Sequence, residues 1–202
     1  MLELAIGTGR IALPLAARGL EVHGIDASPR MVERLRAKPG GAAIPVTIGD
    51  FAEVTAESTY SLVFVAFNTL FALTTQERQV RCFANVAERL GPGGRFVIEV
   101  FVPDVTRFDR GQRFAATAVE HDGIRIEASR HDPVAQTIET QEIDLGTSSI
   151  RLQPIHIRYA WPAELDLMGR LAGLRLQERW GGWRREPFTA ASKQHVSIYE
   201  PR

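Results

Sequence analysis

The interval between Gly7-Thr8-Gly9 and Asp26 constrains this chain more than any other feature of its sequence. The glycine turn follows the apolar run Leu2–Ile6 and precedes Arg10–Arg18, where Ile11, Leu15 and Arg18 fall at helical spacing and Gly19 supplies a stop. Pro14 sits close enough to the start of that segment for a missing N–H to cost little. "LEVHGID" then reads as a buried strand closed by Asp26, 19 residues after Gly7. Strand, tight turn, helix, strand is the repeating unit of a parallel sheet. Glycines in the turn let a ligand approach the main chain where a side chain would block it. A carboxylate at the end of the second strand can accept hydrogen bonds from both ribose hydroxyls of a nucleoside.

The alternation continues. Ser28-Pro29 is an N-cap followed by proline at the first helical position, and the helix it opens runs to about Lys38 before Pro39-Gly40-Gly41. Pro45–Gly49 predicts a third strand ending at Asp50, and Tyr60–Phe67 a fourth. Thr74–Leu90 predicts an amphipathic helix with Val80, Phe83, Ala84, Ala87 and Leu90 on its apolar face. "GPGG" at 91–94 turns the chain into a fifth strand, Arg95–Val102. Leu4, Ile25 and Ile48 are expected in the core, with Gly7, Asp26 and Asp50 lining a crevice at the carboxyl ends of the strands. The predicted class is α/β, a Rossmann-like, doubly wound, mostly parallel sheet.

After Pro103 the pattern changes. Residues 112–120, 123–131, 135–145 and 149–160 read as extended segments separated by turns such as His121-Asp122-Gly123, which predicts antiparallel strands. Trp161-Pro162 opens a helix to about Ala172. Leu174–Trp180 and His195–Tyr199 then form a final antiparallel hairpin with a long Gly, Trp and Arg-rich connection. The expected organisation is a ligand-binding core over 1–103, a β-rich insertion over 104–160, and a helix and hairpin over 161–202 that complete the core sheet.

Composition removes several function classes. Lysine plus arginine equals aspartate plus glutamate at 24 each, so the net charge is zero, which argues against a nucleic-acid backbone as partner. The longest apolar runs, such as Leu62–Phe67, are too short to cross a bilayer. Cys82 is the single cysteine, so there is no internal disulfide, and a cytoplasmic location is expected. No metal is expected.

Two readings of the ligand remain open on these features. Gly7-Thr8-Gly9-Arg10-Ile11-Ala12 satisfies the dinucleotide pattern G-x-G-x-x-G/A with an acid about 20 residues on, which admits an NAD(P)-binding oxidoreductase. Four further features bear on the choice: Glu3 inside strand one, Gly49-Asp50 at the end of strand three, "LGPGGRFVIEV" leading into strand five, and the final hairpin. With "ELAIGTGRIALPLAARGLEVHGIDASPRMVERLR" and the tail "WGGWRREPFTAASKQHVSIYE", these resemble the class I S-adenosylmethionine-dependent methyltransferases that act on small molecules. The resemblance covers nearly the whole chain and is informative about the cofactor rather than the acceptor.

The resemblance implies S-adenosylmethionine as cofactor and methyl transfer to a nitrogen or oxygen nucleophile of a small molecule. It implies that Glu3 fixes the methionine end of the cofactor, that Ala5, Gly7 and Gly9 line its path, and that Asp26, with Ala27 beside it, binds the ribose. Asp50 and Phe51 would take the adenine, and Phe67 and Asn68 would lie beneath the methionine moiety. Ala5 stands where this family usually has glycine. Its members usually place helices ahead of strand one, whereas this chain enters within it. Weak cofactor binding is therefore expected, and a methyltransferase-like domain without catalysis stays open as an alternative. Related enzymes place substrate-binding or dimer-forming strands where 104–160 lies, which leaves a homodimer open.

Other side chains are candidates by type alone. His121, His131, His156 and His195 could serve as a base, and no catalytic residue is assigned. His23 is expected in the core, Cys82 on a helix face, and Trp161, Trp180 and Trp183 in packing roles, with Trp183 able to border a substrate. Glu99, in strand five, is a candidate on the same ground as Glu3, a carboxylate inside a strand that needs a partner, with a structural role equally open. Arg107, Arg110, Arg113, Arg125 and Arg130 could hold an acidic substrate, but interleaved Glu120, Asp122 and Glu127 favour a solvated face.

Overall fold

A computed structural model describes residues 1–53 and 58–202. Its main sheet is built from β1 (Leu2–Leu4), β2 (His23–Asp26), β3 (Val46–Ile48), β4 (Tyr60–Val65), β5 (Leu90–Phe101), β10 (Leu174–Trp180) and β11 (Gln194–Pro201). The order across the sheet is β10-β11-β5-β4-β1-β2-β3. Strands β1 to β5 pair in parallel, and β11 joins β5 and β10 antiparallel. Strand order reverses between β1 and β4, so their carboxyl ends diverge and leave a crevice there.

Helices α1 (Ala12–Ala16), α2 (Pro29–Arg36), α3 (Gln76–Arg89) and α4 (Pro162–Leu171) accompany the sheet. Ser28 caps α2, its hydroxyl accepting from Met31 N–H, and Thr75 caps α3 in the same way. The first helix is shorter than the predicted Arg10–Arg18, because residues 7–11 are taken up by the glycine turn. Leu90, expected to end the third helix, and the predicted turn at 91–94 are both drawn into β5, where the register with β4 shifts between Tyr60 and Leu62.

Three core expectations need correction. Ile48 is 49% exposed, because β3 is the outer strand of the sheet and, among the described residues, pairs only with β2. The buried face of α3 is Gln79, Cys82, Phe83 and Val86, rotated from the predicted stripe, with Val80 and Ala87 at its margin. His23 is half-buried rather than core. Its Nδ1 meets the Tyr60 hydroxyl at 3.2 Å and its Nε2 lies 3.2 Å from Glu21, so the ring bridges a strand to the surface.

The insertion is a four-stranded antiparallel sheet of β6 (Gln112–Glu120), β7 (Gly123–Asp132), β8 (Thr137–Gly146) and β9 (Ile150–Arg158), in that order. It is not a separate body. Ile138, Tyr159 and Ala160 belong to the same buried cluster as Phe71, Phe83, Phe96 and Tyr199 of the main unit. Arg158 is buried at the seam. It donates to Gln79 of α3 at 2.7 Å and to Glu164 of α4 at 2.6 Å. The outward-facing arginines are largely paired: Arg113 with Glu127, Arg125 with Asp144 and Arg130 with Glu139, each at 2.6 Å.

Candidate cofactor site at the switch point

The glycine turn has the shape its sequence demands. β1 stops at Leu4, and Ala5, Gly7 and Gly9 all adopt positive φ, at 56°, 57° and 75°. At Gly9 a side chain would overlap Leu35 of α2, so this glycine also brings the loop down onto the second helix. At Gly7 a Cβ would meet nothing nearer than 3.7 Å, so its need is conformational. Ala5 bears the same left-handed geometry with a methyl group, a strain of about 1–2 kcal/mol.

Asp26 ties this turn to the next. Its Oδ2 accepts the Gly7 N–H at 2.7 Å and its Oδ1 the Ser28 N–H at 2.8 Å. Each oxygen keeps a further lone pair for a hydroxyl donor. Ala27, beside it, is exposed. Lys38 closes the loop from outside, its ammonium donating to the Thr8 carbonyl at 2.7 Å.

Glu3 lies in β1, buried, and its Oε2 has no hydrogen-bond partner among the described residues. Burial pushes its pKa up to about 8, against the opposing effects of a hydrogen bond involving the Ala12 backbone and the charge of Arg10. A carboxyl group so placed is short of a cation.

Across the crevice, β4 ends in a tight turn where Phe67 and Asn68 both hold positive φ, 56° and 63°. Both side chains are exposed. The Phe67 N–H donates to Glu99 Oε2 at 2.9 Å, the Asn68 N–H to the Glu99 carbonyl at 3.2 Å, and the Asn68 side-chain oxygen accepts from Phe101 N–H at 2.7 Å. The Arg10 guanidinium sits 3.9 Å from the Phe67 ring centre, so the glycine turn and the β4 turn touch.

The fold around this crevice matches known proteins. Residues 1–94 match the methyltransferase domain family. The CcbJ methyltransferase from Streptomyces caelestis superposes with a TM-score of 0.93 at 45% identity, covering 99% of this chain and 82% of that one. The chain is a class I S-adenosylmethionine-dependent methyltransferase. A cypemycin N-terminal methyltransferase of a Streptomyces species is 29% identical over 203 residues, 99% of this chain and 82% of the relative. An S-adenosylmethionine-dependent methyltransferase from Clostridium acetobutylicum shares the fold at a TM-score of 0.87 and 11% identity. The oxidoreductase alternative is not favoured.

The methyltransferase's crevice fits its cofactor chemically. Orphaned Glu3 suits a cationic group at the methionine end, and Asp26, fixed by two main-chain donors, faces the strand ends where a ribose would lie. Asp50 is more heavily engaged than its sequence position suggests. Its Oδ1 accepts the Ala52 N–H at 2.9 Å, and Oδ2 pairs with Arg78 of α3. Phe51 is 8% exposed, its ring part of the main core.

Beyond the end of β5 opens a cavity of about 530 Å³. Phe108, Tyr159 and Trp161 give it aromatic walls, and Asp104, Arg107 and Lys193 supply its charges. Its floor includes Phe101, the residue bonded to Asn68, so the cavity adjoins the cofactor crevice. None of the candidate histidines lines it. His121 and His156 are exposed, and His131 stands behind the wall, bonded to the Tyr159 hydroxyl at 2.9 Å. His195 is fully buried, and burial lowers its pKa to about 4, helped by the Arg179 charge.

Two participants, Arg10 and Arg78, escaped sequence reasoning. Arg10 directly follows the glycine turn, and that adjacency was a readable signal. Arg78 reaches the site from α3 through a contact across 28 residues, for which the sequence carries no local sign. Glu99 is a candidate from sequence as a carboxylate inside a strand, but its partner Phe67, 32 residues away, is not legible there.

Proposed function

We propose that this methyltransferase methylates an amine nitrogen of a small molecule or short peptide held in the cavity beyond β5. The observation that carries the reading is the cavity's own chemistry. Asp104 is kept an anion, its pKa lowered by hydrogen bonds from the Thr106 hydroxyl and N–H and by the nearby charges of Arg107 and Lys193. Such a carboxylate is a poor base, and no histidine among the described residues lines the cavity to replace it. An amine needs only to be neutral to attack, whereas a hydroxyl benefits from a base of matched pKa.

When bound, the cofactor supplies a methyl carbon on a sulfonium, a leaving group that needs no acid. The protein's contribution is orientation, which can lower the barrier by roughly 7–11 kcal/mol. In this reading Glu3, Ala5, Gly7, Gly9, Asp26, Ala27, Asp50, Phe51, Phe67 and Asn68 hold the cofactor. The division follows, with 1–103 and 161–202 carrying the cofactor and 104–160 shaping the acceptor side. The 29% identical relative named for N-terminal methylation agrees with an amine acceptor.

A cytoplasmic enzyme, acting without nucleic acid and able to form a homodimer, is part of the same proposal. It draws on a net charge of zero and a buried lone cysteine. Among the described residues no helix is long and apolar enough to cross a membrane. The test is methyl transfer from S-adenosylmethionine to a panel of aminosugars and peptides with free N-termini, each beside its N-acetylated form, read by mass spectrometry. Methylation confined to the free amines is expected. Methylation of the acetylated, hydroxyl-bearing forms at equal rate contradicts it.

A further inference from the structure

Glu99 is a carboxylate in the middle of a sheet, on β5 between β4 and β11, and no role assigned so far accounts for its charge. Its main-chain carbonyl and one carboxylate oxygen together hold the Phe67-Asn68 turn. Two consecutive non-glycine residues at positive φ are strained, so the turn needs such a clasp. A neutral acceptor oxygen would do that task as well. The charge is therefore surplus to the clasp, and it is uncompensated, since Glu99 makes no ion pair among the described residues. Its other carboxylate oxygen has no protein hydrogen-bond partner among them.

The place of this charge gives it a use. The clasped turn sits at the switch point, in contact with the glycine loop through Arg10 and Phe67. We propose that Glu99 is a positioning residue whose carboxylate sets the Phe67 turn and puts negative charge under the methionine end of the crevice, favouring a sulfonium ligand over a neutral thioether. The inference rests on the methyltransferase reading and goes beyond it. Before transfer the ligand's sulfur is cationic, and afterwards it is neutral. A carboxylate beside it holds substrate cofactor more tightly than spent cofactor and so limits product inhibition.

Calorimetric titration of the full chain with S-adenosylmethionine and with S-adenosylhomocysteine tests this directly. In Glu99→Gln the amide oxygen still accepts the Phe67 N–H, so the clasp is kept and only the charge is removed. The expected result is a fall in S-adenosylmethionine affinity of about fivefold to tenfold, the size of effect one partly solvated charge exerts over a few ångströms. S-adenosylhomocysteine affinity stays at the wild-type level. Glu99→Ala removes the side-chain half of the clasp together with the charge and should weaken both ligands. A wild-type affinity ratio in Glu99→Gln overturns the proposal, and so does an equal loss for both ligands, which is the signature of a structural role alone. If wild-type protein binds neither ligand, the methyltransferase reading fails as well, an outcome distinct from the other two.

Discussion

Glu3 concentrates the site's electrostatics in one residue. Its pKa stands at about 8 in the folded protein against 4.5 for a free carboxyl, because burial disfavours the charged form. Between those values the folded chain holds a proton that the unfolded chain has released, so stability falls as pH rises from 4.5 to 8. Glu3→Gln removes that dependence. Thermal melts at pH 5.5 and pH 8 should therefore show the variant gaining on wild type at the higher pH, and parallel shifts would contradict the assignment. Gly7, Gly9 and Asp26 were legible in the sequence because their relation is local: a fixed interval across one strand-turn-helix-strand unit. The engagement of Asp50 by Arg78 was not, because it depends on where α3 lands against the sheet.

At the scale of elements, Arg158 is the clearest case of a contact invisible in sequence. It ends β9, yet its partners Gln79, Gln136 and Glu164 come from α3, the turn before β8 and α4. Burial alone would raise the Glu164 pKa, but hydrogen bonds from Arg158, Gln136 and Gln76 outweigh it and hold the carboxyl below its ordinary value. A depressed carboxyl contributes stability above its unfolded pKa and loses it as pH falls through the folded one. Arg158→Ala strands a largely buried carboxylate and should cost about 3–5 kcal/mol, or roughly 10 °C in Tm. The deficit should shrink in acid as Glu164 takes up a proton, and a deficit independent of pH would contradict the pairing. Alternating strands and helices were legible from periodicity, as were the four extended segments of the insertion. The position of β3 at the edge was not, because local pattern carries no strand order, and Ile48 was misplaced for that reason.

For the whole molecule, sheet order and function are one argument. Placing β4 beside β1 opens the crevice, β2 brings Asp26 to its rim, and β5 carries Glu99 beneath it and the cavity beyond it. The insertion shares the main core, so the walls of the crevice and of the cavity are held by one packed unit. The central claim is that this crevice binds S-adenosylmethionine chemistry through Asp26. Calorimetric titration with S-adenosylhomocysteine, with NADH as control and Asp26→Ala as variant, tests it most directly, provided circular dichroism shows the variant folded. The account predicts saturable binding of S-adenosylhomocysteine by wild type, loss of that binding in Asp26→Ala, and no heat from NADH. Binding of NADH alone, or undiminished S-adenosylhomocysteine binding by Asp26→Ala, would contradict it.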